Sequence, residues 1–96
     1  MKYFVGVDGG GSGCRVVLTS AKGTILSRAS GGPANIETSF VTAKENIIES
    51  CKLALNLAKI PEEEISNCHA VLGLAGSNLG NYAKELTQEL PFARNL

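Results

Sequence analysis

Apolar residues near the start of the chain form three short runs, and each run has the length of one strand. Residues 3–7 (YFVGV) are continuously apolar, which predicts a strand buried on both faces and ending at Asp8. Residues 14–19 are rich in β-branched side chains, and residues 24–29 supply Ile25 and Leu26. Because short glycine-containing turns separate the runs, the pattern predicts an antiparallel meander.

An amphipathic helix is predicted after the loop at residues 30–35 (SGGPAN). Apolar residues recur at helical spacing and define one face: Phe40, Ala43, Ile47, Cys51, Ala54, Leu55 and Ala58. Thr38 or Ser39 could cap its start, and Thr42 could open an alternative capping box one turn later. The helix is expected to stop before Pro61, where a single helical turn can begin.

Two more elements complete the predicted order. Residues 69–74 form an apolar strand that follows a long helical crossover, so this strand is expected to run parallel to the first. Residues 82–90 have the pattern of a second helix, which Pro91 would end. The order β-β-β-α-β-α predicts an α/β fold with a mixed sheet.

Composition narrows the classes of partner. The chain has 96 residues, 44% of them hydrophobic, and a formal net charge of zero. This balance gives no electrostatic footprint for nucleic acid or an anionic membrane, and no apolar run reaches the length of a membrane span. The three cysteines include no C-x-x-C pair, so we expect reduced thiols in a cytoplasmic protein. His69 has no evident metal-binding partner and is interpreted as structural.

A glycine-rich segment directly follows the first predicted strand. Glycines at positions 9, 10 and 11 permit positive φ and close approach of a ligand to the backbone, and successive N–H groups in such a turn can converge on an anion. Ser12 adds a hydroxyl donor. Asp8 would repel a phosphate, but its carboxylate can hold a hydrated Mg²⁺ that bridges to phosphates. The pattern therefore predicts a phosphate site at four residues, with a metal position at Asp8: Gly9, Gly10, Gly11 and Ser12.

Two better-known phosphate loops do not fit the spacing. Counting from Gly9, the third glycine of a dinucleotide fingerprint would fall on Cys14. Gly6 and Gly11 have P-loop separation, but Ser12 stands where that motif needs lysine. Both motifs also open a helix, whereas a strand is predicted here. A plain hairpin turn remains the alternative, although three glycines exceed what a two-residue turn needs.

The segment FVGVDGGGS at residues 4–12 resembles the first phosphate motif of the sugar kinase/Hsp70/actin superfamily. Together with residues 31–36 (GGPANI) and 73–76 (GLAG), it is similar to the N-acetylglucosamine and glucosamine kinases of the BadF-type ATPase family. The resemblance implies a ribonuclease H-like half-lobe, with residues 1–96 as the N-terminal part of the first ATPase lobe. It also implies ATP and Mg²⁺ as cofactors, an amino sugar as the phosphorylated substrate, and a homodimer as one open oligomeric state.

The same resemblance implies roles for individual residues. The glycine turn would cradle the β- and γ-phosphates, with Asp8 near Mg²⁺ through water and Ser12 contacting phosphate. Arg15 occupies a position that is often basic and would also bind the ATP phosphates, although it could be an ordinary strand-surface residue. Asn35 matches an asparagine that binds sugar hydroxyls, and its alternative is a turn residue before the helix. Two further residues match the loop that lines the sugar pocket: Gly76 and Ser77.

Relatives often carry D-G-G-G-T-K-T-R, whereas this chain has Ser12, Gly13, Cys14 and Arg15 in the last four positions. The hydroxyl is kept, but the lysine cation is lost. The family's catalytic aspartate is expected after Leu96, so residues 1–96 alone are expected to lack kinase activity. Two alternatives stay open: an ATPase activator of the 2-hydroxyacyl-CoA dehydratase type, whose iron–sulfur cysteines have no match here, and a non-catalytic sugar-sensing or actin-like module.

Overall fold

The computed structural model describes residues 3–35, 39–74 and 91–92. Four strands form one sheet, in the order β3-β2-β1-β4. The elements are β1 (Tyr3–Gly9), β2 (Cys14–Ser20), β3 (Ile25–Gly31), helix α1 (Phe40–Leu57), a 3₁₀ helix (Glu62–Asn67) and β4 (Cys68–Leu74). The predicted β-β-β-α-β order is confirmed, whereas the second helix predicted at residues 82–90 lies outside the described residues.

The sheet is mixed, as predicted. β1 pairs antiparallel with β2, β2 pairs antiparallel with β3, and β4 pairs parallel with β1. β3 extends further than predicted, because Ser30 and Gly31 pair with Arg15 and Cys14 on β2. The loop predicted to begin at Ser30 therefore begins after Gly31.

In the described part of the chain, helix α1 covers one face of the sheet. Tyr3, Val5 and Val7 alternate with exposed positions along β1, and the buried side chains pack beneath α1. On the opposite face, Phe4 is 42% exposed and Val71 is 72% exposed. The prediction that β1 is buried on both faces is therefore wrong for these residues, since its apolar run faces two sides and α1 covers one.

Helix α1 begins where one of the predicted caps stands. The Ser39 hydroxyl oxygen accepts the Thr42 backbone N–H at 3.2 Å, which satisfies one of the donors left free at a helix start. The helix ends at Leu57, and Lys59 then takes a left-handed φ of 61°. Six residues of α1 are buried: Ala43, Ile47, Ser50, Cys51, Ala54 and Leu55. The apolar spacing predicted this face except for Ser50, whose burial it missed.

The three cysteines are free thiols in the core. Burial, followed by the neighbouring Cys68 and Cys14 thiols, raises the pKa of Cys51 to about 12. Burial, followed by Glu64, raises the pKa of Cys68 to about 11. Both thiols are therefore protonated at neutral pH and act as small apolar side chains.

His69 lies in β4 beside Phe4, its register partner on β1. The two ring centroids are 5.8 Å apart, and His69 is 4% exposed. In the part of the chain that the structure describes, its Nδ1 atom has no hydrogen-bond partner. This packing fits the structural role expected for His69. No helix among the described residues has the length and hydropathy needed to cross a lipid bilayer.

Candidate functional site

The glycine segment forms the turn of the β1–β2 hairpin. The Gly10 N–H donates to the Gly13 carbonyl at 2.9 Å, so Gly11 and Ser12 form a two-residue turn. The Gly10 N–H is thus used inside the hairpin. Among the described residues, the N–H groups of Gly11 and Ser12 have no protein acceptor, and both residues are exposed. These two N–H groups can therefore donate outward to an anion.

The glycines serve this turn through space rather than through unusual dihedral angles. Of the described glycines, only Gly23 has a positive φ, so the positive φ that glycine permits is not adopted in the glycine segment. A Cβ added at Gly10 or Gly11 would meet no protein atom within 4 Å. At Gly13 a Cβ would lie 3.1 Å from the Gly31 carbonyl oxygen. Glycine thus leaves the outer surface of the turn open and lets the end of β3 approach closely.

An open cleft of about 560 Å³ lies over this turn. Its size falls in the range of small-molecule sites. The cleft is lined by Asp8, Gly9, Gly10, Ser12, Gly13, Cys14, Arg15, Ser30 and Gly31. The structure therefore brings Gly9, Gly10 and Ser12 of the predicted phosphate site into one cleft with the predicted metal position, whereas Gly11 is not among the residues that line it.

Asp8 and Arg15 face each other across the hairpin as register partners. Their Oδ2 and Nη2 atoms are 3.3 Å apart, and the side chains are 75% and 80% exposed. An exposed pair of this kind contributes roughly 0–1 kcal/mol, so a bound phosphate or cation can readily replace it. The pairing of positions 8 and 15 follows from the turn, because a two-residue turn at Gly11 and Ser12 places these positions opposite each other on the two strands.

The carboxylate of Asp8 fits a substrate-borne Mg²⁺ better than a resident metal cage. Among the described residues that line the cleft, Asp8 is the one that carries a carboxylate. Within the described ranges, no group of three or more His, Cys, Asp and Glu side chains comes together. Mg²⁺ in nucleotide sites keeps several waters and binds one or two carboxylates plus phosphate oxygens. A single exposed carboxylate beside a phosphate turn is compatible with that arrangement.

The segment that carries Asn35 lies against the glycine turn. The Ala34 N–H donates to the Gly10 carbonyl at 2.9 Å, and the Asn35 carbonyl accepts the Ser39 N–H at 3.1 Å. The other two residues predicted for the sugar pocket, Gly76 and Ser77, lie outside the described residues. Leu74 at the end of β4 is the register partner of Gly9, so β4 ends at the same edge of the sheet as the glycine turn.

Sequence reasoning missed two polar residues of α1 that touch this region. The Asn46 Nδ2 donates to the Pro33 carbonyl at 2.7 Å, and the Ser50 hydroxyl lies 3.2 Å from the Cys14 thiol. The sequence signal for these contacts was weak, since it consists of two polar residues spaced i, i+4 beside the apolar face of the helix.

Comparison with known proteins extends these observations. The BadF/BadG/BcrA/BcrD ATPase family matches residues 5–94. Glucosamine kinase GspK of Vibrio cholerae is 30% identical over 77 residues, which are 80% of this chain and 26% of that protein. A crystal structure assigned as an N-acetylglucosamine kinase from Chromobacterium violaceum matches with a TM-score of 0.86 and 29% identity, over 97% of this chain and 34% of the other. The chain thus spans 26% and 34% of the lengths of these two relatives.

Proposed function

Because the chain belongs to the BadF/BadG/BcrA/BcrD ATPase family, we propose that it is the N-terminal part of the first ATPase lobe of an amino-sugar kinase. The proposed reaction of the full-length protein is ATP-dependent phosphorylation of glucosamine or N-acetylglucosamine, the sugars in the names of the two relatives. In this proposal, residues 1–96 supply the first phosphate loop and part of the sugar pocket.

The observation that carries the proposal is that Gly11 and Ser12 are exposed and that their N–H groups have no acceptor among the described residues. Gly11 and Ser12 would donate to oxygens of the β- and γ-phosphates, and the Ser12 hydroxyl would add a third donor. The missing side chains at Gly10 and Gly11 would let the phosphates reach the backbone. Arg15 would exchange its weak pairing with Asp8 for a charge-assisted bond to a phosphate oxygen.

Asp8 is the residue proposed to hold the metal, through water. Mg²⁺ bound there would supply charge neutralisation at the phosphates during transfer. The release of Arg15 toward phosphate would leave the Asp8 carboxylate available for the hydrated ion. Once nucleotide and metal are present, Arg15 would thus pair with phosphate and Asp8 with the hydrated Mg²⁺.

On the sugar side, Asn35 is proposed to hydrogen-bond a substrate hydroxyl, and Gly76 and Ser77 are proposed to line the same pocket. We propose that the acidic residue that accepts the sugar proton lies after Leu96. Phosphoryl transfer depends on the joint positioning of all these groups. We therefore propose that the 96-residue chain has no kinase activity by itself, and ATP-coupled turnover above background by this polypeptide would contradict that.

The alternative as an activator of 2-hydroxyacyl-CoA dehydratase is less well supported. That function uses cysteine thiolates to hold an iron–sulfur cluster at a dimer interface. Here Cys14, Cys51 and Cys68 are 3%, 1% and 0% exposed. Thiols buried in one core cannot reach across an interface without unfolding.

A non-catalytic sugar sensor or actin-like module shares the fold, and its signature would be sugar or nucleotide binding without turnover.

A coupled ATPase assay of the full-length protein tests the proposal, with Mg²⁺ and either glucosamine or N-acetylglucosamine as acceptor. Gly11→Ala is the decisive variant, because its added methyl group meets no protein atom and would obstruct only a ligand bound at the Gly11 N–H. We expect the KM for ATP to rise roughly tenfold, equal to about 1.4 kcal/mol, with the KM for sugar and the melting temperature unchanged. A wild-type protein that phosphorylates neither sugar refutes the proposal.

A further inference from the structure

The Gly31–Asn35 segment contacts the glycine turn proposed to bind phosphate and carries Asn35, the residue proposed to bind sugar. At its end, the N–H of buried Ala34 donates to the carbonyl of Gly10, inside the glycine turn. The next residue is Asn35, the proposed sugar ligand. The position of Asn35 relative to the glycine turn therefore depends on how this short segment is held.

Asn46, in the second turn of α1, holds the middle of the segment. Its Nδ2 donates to the Pro33 carbonyl at 2.7 Å, and the side chain is half-buried. A Cβ on Gly32 would come within 2.7 Å of the same Nδ2 atom. The Asn46 amide thus occupies the space that a side chain at position 32 would need, and it contacts both residues that precede Ala34.

The next turn of α1 contacts the strand that follows the glycine turn. The Asn46 carbonyl accepts the Ser50 hydroxyl at 2.7 Å, and the Ser50 Oγ lies 3.2 Å from the Cys14 Sγ. Cys14 is the register partner of Gly9 and begins the strand that leaves the hairpin turn. One face of α1 therefore contacts the segment before Asn35 and the strand after the phosphate turn together.

We propose that Asn46 is a positioning residue, which sets the affinity for the amino sugar by fixing the Pro33–Asn35 backbone against the glycine turn. This rests on the proposed function, in which Asn35 binds the sugar. Asn46 itself is placed behind the segment, bonded to a main-chain carbonyl. Its loss should weaken sugar binding while the Gly11 and Ser12 donors, which the hairpin holds by its own Gly10–Gly13 bond, keep their place.

Asn46→Asp is the sharpest test, because it keeps the side-chain shape but replaces the donor with an acceptor that repels the Pro33 carbonyl. In the full-length protein, we expect the Kd and KM for the amino sugar to rise about tenfold, from the loss of one well-formed hydrogen bond. The KM for ATP should change less than about twofold, since that site is held separately. Asn46→Gln restores an amide donor and should recover part of the sugar affinity.

Asn56→Asp is the matched control on the same helix. Its amide donates to the Glu62 carboxylate at 2.9 Å and touches neither substrate segment, so the sugar affinity should not change. Sugar binding is measured by calorimetry without ATP, and melting temperatures are compared for all variants. Equal losses for sugar and ATP, or sugar affinity unchanged in Asn46→Asp, would overturn the inference alone. A wild-type protein that binds no amino sugar would refute the proposed function, and the inference falls with it.

Discussion

Replacing Gly31 by alanine is expected to destabilise the protein through one identifiable collision. A Cβ at this position would lie 1.8 Å from the Ser50 Oγ, 3.2 Å from the Ser50 Cβ and 3.4 Å from the Cys14 Sγ. Because the first distance is far below contact, the Ser50 hydroxyl must move. That hydroxyl is 2.7 Å from the Asn46 carbonyl that accepts its hydrogen bond, and Ser50 is only 2% exposed.

The size of the effect follows from these contacts. Overpacking a well-filled site costs typically 1–3 kcal/mol. Displacing the Ser50 hydroxyl removes a hydrogen bond worth about 1 kcal/mol. We therefore expect Gly31→Ala to lower the free energy of unfolding by about 2–4 kcal/mol. Gly11→Ala is the matched control, because the same added methyl group meets no protein atom there.

A double-mutant cycle identifies the cause. Ser50→Ala removes the colliding oxygen and leaves a 3.2 Å approach between two carbons, which small shifts can relieve. In urea unfolding of the full-length protein, Gly31→Ala with Ser50→Ala should be more stable than the sum of the single changes by at least about 1 kcal/mol. Additive effects, or a Gly31→Ala variant as stable as Gly11→Ala, would refute the reasoning.

Three further results are expected. Asp8→Asn should raise the Mg²⁺ concentration needed for half-maximal activity about tenfold, with exposed Glu63→Gln as the control, since a neutral amide holds a hydrated dication poorly; an unchanged Mg²⁺ requirement would exclude the metal role. Because burial raises the pKa of the Cys51 thiol from 9.0 to about 12, unfolding at high pH releases a proton. The stability that the buried thiol contributes is therefore complete below pH 9.0 and is lost as the pH rises toward about 12. Above pH 9.0, the urea midpoint of the wild-type protein should fall more steeply with pH than that of Cys51→Ala. Parallel curves for the two proteins would contradict this. Ser39→Ala should cost about 1 kcal/mol in thermal unfolding by removing the cap bond to Thr42, whereas an unchanged melting temperature would argue against the cap.

The sequence predicted the elements well because their signals are local. Helical spacing and a capping serine predicted α1, and the long crossover predicted that β4 runs parallel to β1. Burial on the second face of β1 was not predictable in the same way. An apolar residue such as Phe4 is compatible with burial, but its presence does not show whether another element packs on it. Covering depends on tertiary neighbours that periodicity does not encode.

The candidate site was predicted in its residue types more fully than in its geometry. Glycine permits positive φ as well as close approach, and the structure uses the second property: space stays open at Gly11, and β3 comes close at Gly13. Asn46 and Ser50 could not be assigned, because their contacts depend on where the segment after β3 crosses α1. A polar residue beside an apolar helix face is usually solvated. Only the packed fold shows which of these residues contacts another segment instead.

The connectivity of the sheet also bears on the order in which the protein assembles. The glycine turn is closed by residues near each other along the chain, Gly10 with Gly13, whereas β4 joins β1 through partners as distant as Tyr3 and Cys68. Closing a short loop costs less chain entropy than closing a long one, so local pairings form faster. We expect the hairpin amides to gain protection from hydrogen exchange before those of β4 during refolding, and simultaneous protection would contradict this. The turn proposed to hold phosphate would then exist early in folding, before β4 has paired with β1.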